Sequence, residues 1–283
     1  MMDKILALVD GSIYAASVCD HAAWLAGRLG APVELLHVLG RREAPGEKDL
    51  SGAVGLGARS SILEKLATLD EERSKLVAER GRAILDDARA LIEKSGLEGV
   101  TTRLRHGDLI EEVAAQEGAA SLIVIGKRGA AADFAHGHLG SNLERIVRAS
   151  HRPVVVASRA FRPIAKVLIA YDGGASAARI IDHVATSPIY AGLPVRLVTV
   201  GGGAEVLAGL ESAGERLRAA GLEAETLQVQ GQPDKALGAM VEAEHFDMLV
   251  MGAYGHSRVR SLIIGSTTTE MVRSCKVPVV LLR

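Results

Sequence analysis

A glycine-rich phrase occurs twice in this chain of 283 residues, each time directly after a short apolar run. The first copy reads Ser121-Leu-Ile-Val-Ile-Gly126-Lys-Arg-Gly129, followed after ten residues by Gly140-Ser141. The second reads Asp247-Met-Leu-Val-Met-Gly252-Ala-Tyr-Gly255, followed after nine by Gly265-Ser266. Other landmarks repeat at equal offsets: Asp10 precedes Pro32 by the same interval as Asp172 precedes Pro194. The interval from Asp108 to Gly126 equals that from Asp234 to Gly252, and Ser141 to Pro153 equals Ser266 to Pro278. A solenoid repeats every 20 to 50 residues, whereas this spacing is that of whole domains, so the chain is a duplication. The expected units are 1–158 and 165–283, joined by a linker near Ser158 to Ile164.

Each copy alternates strand-like and helix-like patterns. Lys4 to Val9 is an apolar run of strand length, and Val18, Ala22, Leu25 and Leu29 then recur at helical spacing up to Gly30, a natural helix stop. Strands follow at Pro32 to Leu39, Val100 to Arg105, Leu122 to Ile125 and Val154 to Ala157. Asp108 reads as the cap of a helix through Gln116, with Glu111 at the capping-box position, and Asn142 to Ala149 is a further helix. The second copy repeats the order, with strands at Val167 to Tyr171, Val195 to Val200, Glu225 to Val229, Met248 to Met251 and Val279 to Leu282. Helices start there at Ala175, Glu205, Asp234 and Thr267. Strands apolar on both faces and alternating with helices predict two doubly wound α/β domains with parallel sheets.

The copies differ in length at one place. The stretch from Pro32 to Asp108 is nearly twice as long as its counterpart from Pro194 to Asp234. The surplus falls on a Gly-rich, charged stretch from Arg41 to Gly57 and a helical pattern from Ser61 to Lys94; the insert proper is about 41–80. Leu63, Leu66, Leu69, Leu76, Ile84, Ala88 and Leu91 give that helix an apolar stripe, and as one rod it would reach about 50 Å. Packing across the neighbouring domain is the expectation. A membrane-surface helix would carry excess Lys and Arg with aromatics opposite, and here Asp70, Glu71, Glu72, Asp86 and Asp87 balance the bases.

Composition narrows the function classes. A formal net charge of −1 gives no basic field for nucleic acid, and 3% aromatic residues leave few platforms for stacking bases. No apolar run is long enough to span a membrane, and the N-terminus lacks the basic and apolar regions of a signal peptide. Cys19 and Cys275, in different copies, read as free buried thiols of a reducing compartment. The expected location is the cytoplasm.

Open α/β sheets bind ligands beyond the carboxyl ends of their strands, where strand order reverses. Asp10 and Asp172 end the first strands; Gly126 and Gly252 end the fourth. Glycines there allow close backbone approach, and successive N–H groups form an anion nest. Gly140-Ser141 and Gly265-Ser266 open a helix whose N-terminus favours phosphate. A strand-one carboxylate suits the donors of adenine or a ribose hydroxyl better than it suits phosphate. Neither a Walker A sequence nor a Gly-x-Gly-x-x-Gly after a first strand is present.

This constellation resembles that of tandem-domain universal stress proteins, whose nucleotide signature is Gly-x2-Gly-x9-Gly-Ser/Thr after the fourth strand with an Asp after the first. Copy two matches it in full with Gly252, Gly255, Gly265 and Ser266, while copy one carries one extra residue between Gly129 and Gly140. The resemblance implies a Rossmann-like fold of the adenine nucleotide alpha-hydrolase type. It also implies an ATP site, often with a divalent ion such as Mg or Mn. The family's adenine contact, at a fixed interval past the Asp, falls on Val38 and Val200. The implied nucleotide-binding residues are Asp10, Val38, Gly126, Gly129, Gly140 and Ser141 in copy one. In copy two they are Asp172, Val200, Gly252, Gly255, Gly265, Ser266 and Thr267.

Lys127, Arg128, Arg258 and Arg260 could clamp phosphates or simply be surface charges. His136 and His138 lack a third metal ligand, and His256 lacks an acidic partner, so no nucleophile-and-base pair forms from adjacent residues. Helix capping accounts for Ser141 and Ser266. The leading expectation is a regulatory ATP-binding stress protein with at most weak hydrolysis. The alternatives are a nucleotide-free docking module and a slow ATPase. By resemblance the last strands, Pro153 to Ala157 and Pro278 to Leu282, pair the two copies into an internal pseudo-dimer. The insert is the expected contact for a homodimer or a protein partner.

Overall fold

The computed structural model describes residues 3–40, 56–129, 140–253 and 265–283. Copy one runs β1 (Lys4–Leu8), α1 (Ala15–Leu29), β2 (Val33–Leu39), α2 (Leu56–Glu93), β3 (Thr101–His106), α3 (Leu109–Glu117), β4 (Ala120–Gly126), α4 (Ser141–Ala149) and β5 (Val154–Ala157). Copy two runs β6 (Val167–Ala170), α5 (Ala175–Thr186), β7 (Val195–Val200), α6 (Ala204–Ala219), β8 (Ala224–Val229), α7 (Pro233–Ala243), β9 (Met248–Gly252), α8 (Ser266–Ser274) and β10 (Val279–Leu282). A 3-10 turn, Pro188–Tyr190, precedes β7.

The ten strands of the described residues join one sheet in the order β3-β2-β1-β4-β5-β10-β9-β6-β7-β8. Within each copy the strands are parallel, and strand order reverses between β1 and β4 and between β6 and β9. The two copies meet where β5 and β10 pair antiparallel, with Val279 opposite Val156, Val280 opposite Val155 and Leu281 opposite Val154. This is the edge-to-edge contact expected from the two apolar final strands. Each covers the other's unpaired backbone groups. Because the junction is antiparallel, the carboxyl ends of the two halves point to opposite edges of the sheet.

Alternation along the strands divides the core into two layers that cross the junction. Ile5, Ala7 and Val9 face the layer of Val18, Leu25, Leu85, Ile92, Ile180 and Leu217 from α1, α2, α5 and α6. Leu6 and Leu8 face Val113, Ile146, Val241 and Met271 from α3, α4, α7 and α8. Period-two alternation of apolar residues, covered on both faces, is what a parallel sheet requires. The helix ends follow local rules. Gly30 stops α1 at φ 63°, and Asp108 caps α3 by accepting from the Ile110 N–H at 2.9 Å.

The long helix corrects one expectation. It packs on α1, β2 and β3 of its own copy, not across the neighbouring one. Leu85, Ala88 and Ile92 are buried, while Leu66, Leu69 and Leu76 upstream are exposed. The C-terminal half of α2 is thus the ordinary crossover helix between β2 and β3, and the insert prolongs it at the N-terminal end. Among the described residues no helix is long and apolar enough to cross a membrane.

Candidate functional site

At each reversal of strand order the connections leave for opposite faces of the sheet and open a crevice between them. In copy one Asp10 follows β1, and its Oδ1 accepts the Ser12 N–H at 3.0 Å; Ser12 Oγ in turn accepts from the Tyr14 N–H at 3.3 Å. The Gly126–Gly129 turn folds down onto this segment. A Cβ on Gly129 would stand 2.8 Å from Asp10 Oδ2, and one on Gly126 would stand 2.7 Å from Tyr14 Cβ. Only glycine permits that approach. The Gly140 N–H returns to the Lys127 carbonyl at 3.3 Å and closes the loop.

Copy two builds the same frame from different residues. Asp172 Oδ1 accepts the Gly174 N–H at 2.8 Å, and the Gly265 N–H donates to the Ala253 carbonyl at 3.3 Å. Thr268 Oγ1 adds a bond to the Gly252 carbonyl at 3.0 Å. Gly140 and Gly265 adopt nearly equal conformations, φ −59° and ψ 128° against φ −57° and ψ 144°. These glycines, not the serines, are the N-caps. Ser141 and Ser266 are the first helical residues and are exposed, which corrects the capping role expected for them. Each therefore stands beside the N–H groups that a helix start leaves unbonded.

Val38 and Val200 are half-buried near the ends of β2 and β7, both on the face that carries α3, α4, α7 and α8. Thr267 is half-buried beside Ser266. Gly255 lies outside the described residues, as do His136, His138, His256, Arg258, Arg260 and the extra residue of the copy-one loop. The two crevices have different neighbours. Arg80 Nη2 of α2 comes within 3.3 Å of a Cβ on Gly11, whereas a Cβ on the equivalent Gly173 meets Val206 at 3.5 Å. Tyr14, which presses on Gly126, is replaced in copy two by the small Ser176. A separate groove of about 310 Å³ runs along α2, lined by Ser74, Lys75, Arg82 and His106 among others.

The universal stress protein family matches residues 1–158 and 183–283. The chain belongs to this family. It is 37% identical over 287 residues to the universal stress protein Slr1230 of Synechocystis sp., with 100% of each chain covered. The Bacillus subtilis universal stress protein YxiE is 30% identical over 158 residues, 55% of this chain and 99% of that one. A crystal structure of a universal stress protein from Archaeoglobus fulgidus superposes with a TM-score of 0.75 at 22% identity, covering 99% of this chain and 98% of that chain. The likeness in structure is one of fold.

In this universal stress protein Lys127 does not extend towards a phosphate nest. It is only 8% exposed and donates from Nζ to the carbonyl of Cys275, the residue that caps the C-terminal end of α8 in the other copy. Burial pushes its ammonium below the usual lysine range. A cation at a helix C-terminus meets the negative end of the dipole, so Lys127 ties the copies together. Cys275 and Cys19 are free and buried, and burial pushes the Cys19 thiol up to about 12.

Two residues escaped the sequence reading. His21 and His183 follow the strand-one aspartates Asp10 and Asp172 at the same interval. They are packed edge-on to Phe161 and Tyr190, with ring centroids 5.1 and 5.6 Å apart. The matched offset was the available signal.

Proposed function

We propose that this universal stress protein is a cytoplasmic regulatory protein that binds an adenine nucleotide, ATP foremost, with at most slow hydrolysis. The reading rests on one observation: both copies repeat the same frame at the point where strand order reverses. In each, an aspartate turn follows the first strand, and a glycine-capped helix that presents an exposed serine is tied back to the end of the fourth. The residues fit such a ligand. Free N–H groups at the starts of α4 and α8 suit phosphates, and the half-buried Val38 and Val200 offer an apolar seat for a base. A divalent ion would be held mainly by the phosphates, since no cluster of three or more His, Cys, Asp or Glu is found among the described residues.

Copy two is the better site in this reading. Its loop has the family spacing without the extra residue, and its crevice is flanked by Ser176 and Val206 instead of Tyr14 and Arg80. Substituting Gly126 is a poor test, because any Cβ there overlaps Tyr14 even without ligand. Ser141→Glu and Ser266→Glu are cleaner. Both positions are exposed, and an acid in the first helical turn suits the dipole, so the fold is spared while the anion site is occupied. In titrations with labelled ATP, Ser266→Glu should weaken binding by about tenfold or more, equivalent to about 1.4 kcal/mol, and Ser141→Glu by less. Equal losses would remove the ranking. A parent protein that binds no ATP, and releases no nucleotide on denaturation, would favour the docking-module reading.

A further inference from the structure

The overhanging half of α2 carries an apolar stripe that its own copy does not use. Ile62, Leu66, Leu69 and Leu76 are 44%, 38%, 59% and 65% exposed, four of the seven exposed large apolar side chains among the described residues. With Arg73 they fall at positions 62, 66, 69, 73 and 76, the strict four-three alternation of a two-stranded coiled-coil seam. A helix lying on a sheet shows a wider stripe. At 3.6 residues per turn this seam lies roughly 100° around the helix from the buried stripe of Gly81, Leu85, Ala88 and Ile92. Both can therefore be filled at once. Most helical stability in proteins comes from packing an amphipathic face, and this extension has one that its own copy leaves open.

We propose that a second copy of this chain covers the stripe, the two α2 helices pairing antiparallel over residues 62–76. The charges select both the occupant and its direction. A parallel pair would stack Arg73 on the partner's Arg73 in one seam layer. The antiparallel pair sets Arg73 against the partner's Leu69 and Leu66 against the partner's Leu76. There the guanidinium stem covers a leucine while its head reaches the carboxylates of Asp70 and Glu72, which crowd the seam edge near the dyad and need that charge. The same alignment brings Lys65 opposite the partner's Glu79. On the outer side Glu71 and Lys75 already pair within the helix at 2.7 Å. Mixed charge and the lack of aromatics on this segment disfavour a lipid surface.

Light scattering of the full chain should give twice the 29.7 kDa of one copy. The double variant Leu69→Glu/Leu76→Glu should run as a monomer that keeps the fold, because both side chains are exposed in the single chain, and its melting temperature should lose the dependence on protein concentration that a dimer confers. Arg73→Glu should weaken the dimer by adding a further acid to the carboxylates of Asp70 and Glu72 at the dyad. Mixed Leu66→Cys and Leu76→Cys chains should form a disulfide across the seam, and Leu66→Cys alone should not. A parent chain that stays monomeric up to about 100 μM, a double variant that still dimerises, or a Leu66→Cys homodisulfide would each overturn the proposal. So would a monomeric parent that binds vesicles of anionic lipid.

Discussion

His21 and His183 occupy equivalent places in the two copies, and Nε2 of each is buried without a hydrogen-bond partner among the described residues. Burial pushes His183 down to about 4 and lowers His21 as well, since neither can be charged without losing its water. Between pH 6.5, the unfolded value, and about 4 the unfolded chain takes up a proton that the folded chain refuses. Stability therefore rises with pH across that window and is fully present above it. For His183 the loss on acidification is on the order of 3 kcal/mol. The urea midpoint should fall between about pH 7 and pH 4.5, and His183→Phe, which keeps the ring edge on Tyr190, should fall less. Equal slopes for parent and variant would refute this. Individual residues also mark where sequence reading stops. That glycines and an aspartate belong to the crevice follows from type and spacing. That Lys127 turns inward does not, because its acceptor lies on the other copy and exists only once β5 and β10 have met.

Elements were the most legible level. Strand positions follow from apolar runs, and the ends of α1 and α3 from Gly30 and Asp108, because backbone geometry and orphan N–H groups act within a few residues. The extent of α2 was nearly right, Leu56–Glu93 against an expected Ser61 to Lys94, but its partner was not. Amphipathicity shows that a face is covered without showing by what. The same limit appears in two helical glycines that look alike in sequence. A Cβ on Gly81 of α2 would stand 2.8 Å from Leu104 Cδ1 and 3.2 Å from His37 Cδ2, whereas one on Gly238 of α7 meets nothing within 4 Å. Propensity alone favours alanine at both by about 1 kcal/mol. Gly238→Ala should realise most of that gain. Gly81→Ala should instead lose about 1 kcal/mol through overpacking. Thermal or urea unfolding of both variants checks the pair, and stabilisation by Gly81→Ala would show that Leu104 yields freely.

At the scale of the molecule, duplication becomes a single object through two short strands, Val154–Ala157 and Val279–Leu282. Val155 and Val280 belong to one core layer and Val154, Val156, Val279 and Leu281 to the other, so neither layer ends at the border between copies. Further bonds cross it. Arg28 Nε donates to the Ile189 carbonyl at 3.1 Å, and Arg283 Nη1 to the Arg148 carbonyl at 2.7 Å. A border built in this way couples the unfolding of its two sides, because neither copy can lose its last strand without exposing the other's edge. Val280→Ala tests this. The side chain is 2% exposed and lies opposite Val155, so truncation should cost about 2 kcal/mol in packing. If the copies unfold together, hydrogen exchange should accelerate to the same extent at the amides of β1 and of β6, although only β6 belongs to the substituted copy. Acceleration confined to β6–β10 would mean that the copies open independently, and that the continuous sheet joins two separate folding units.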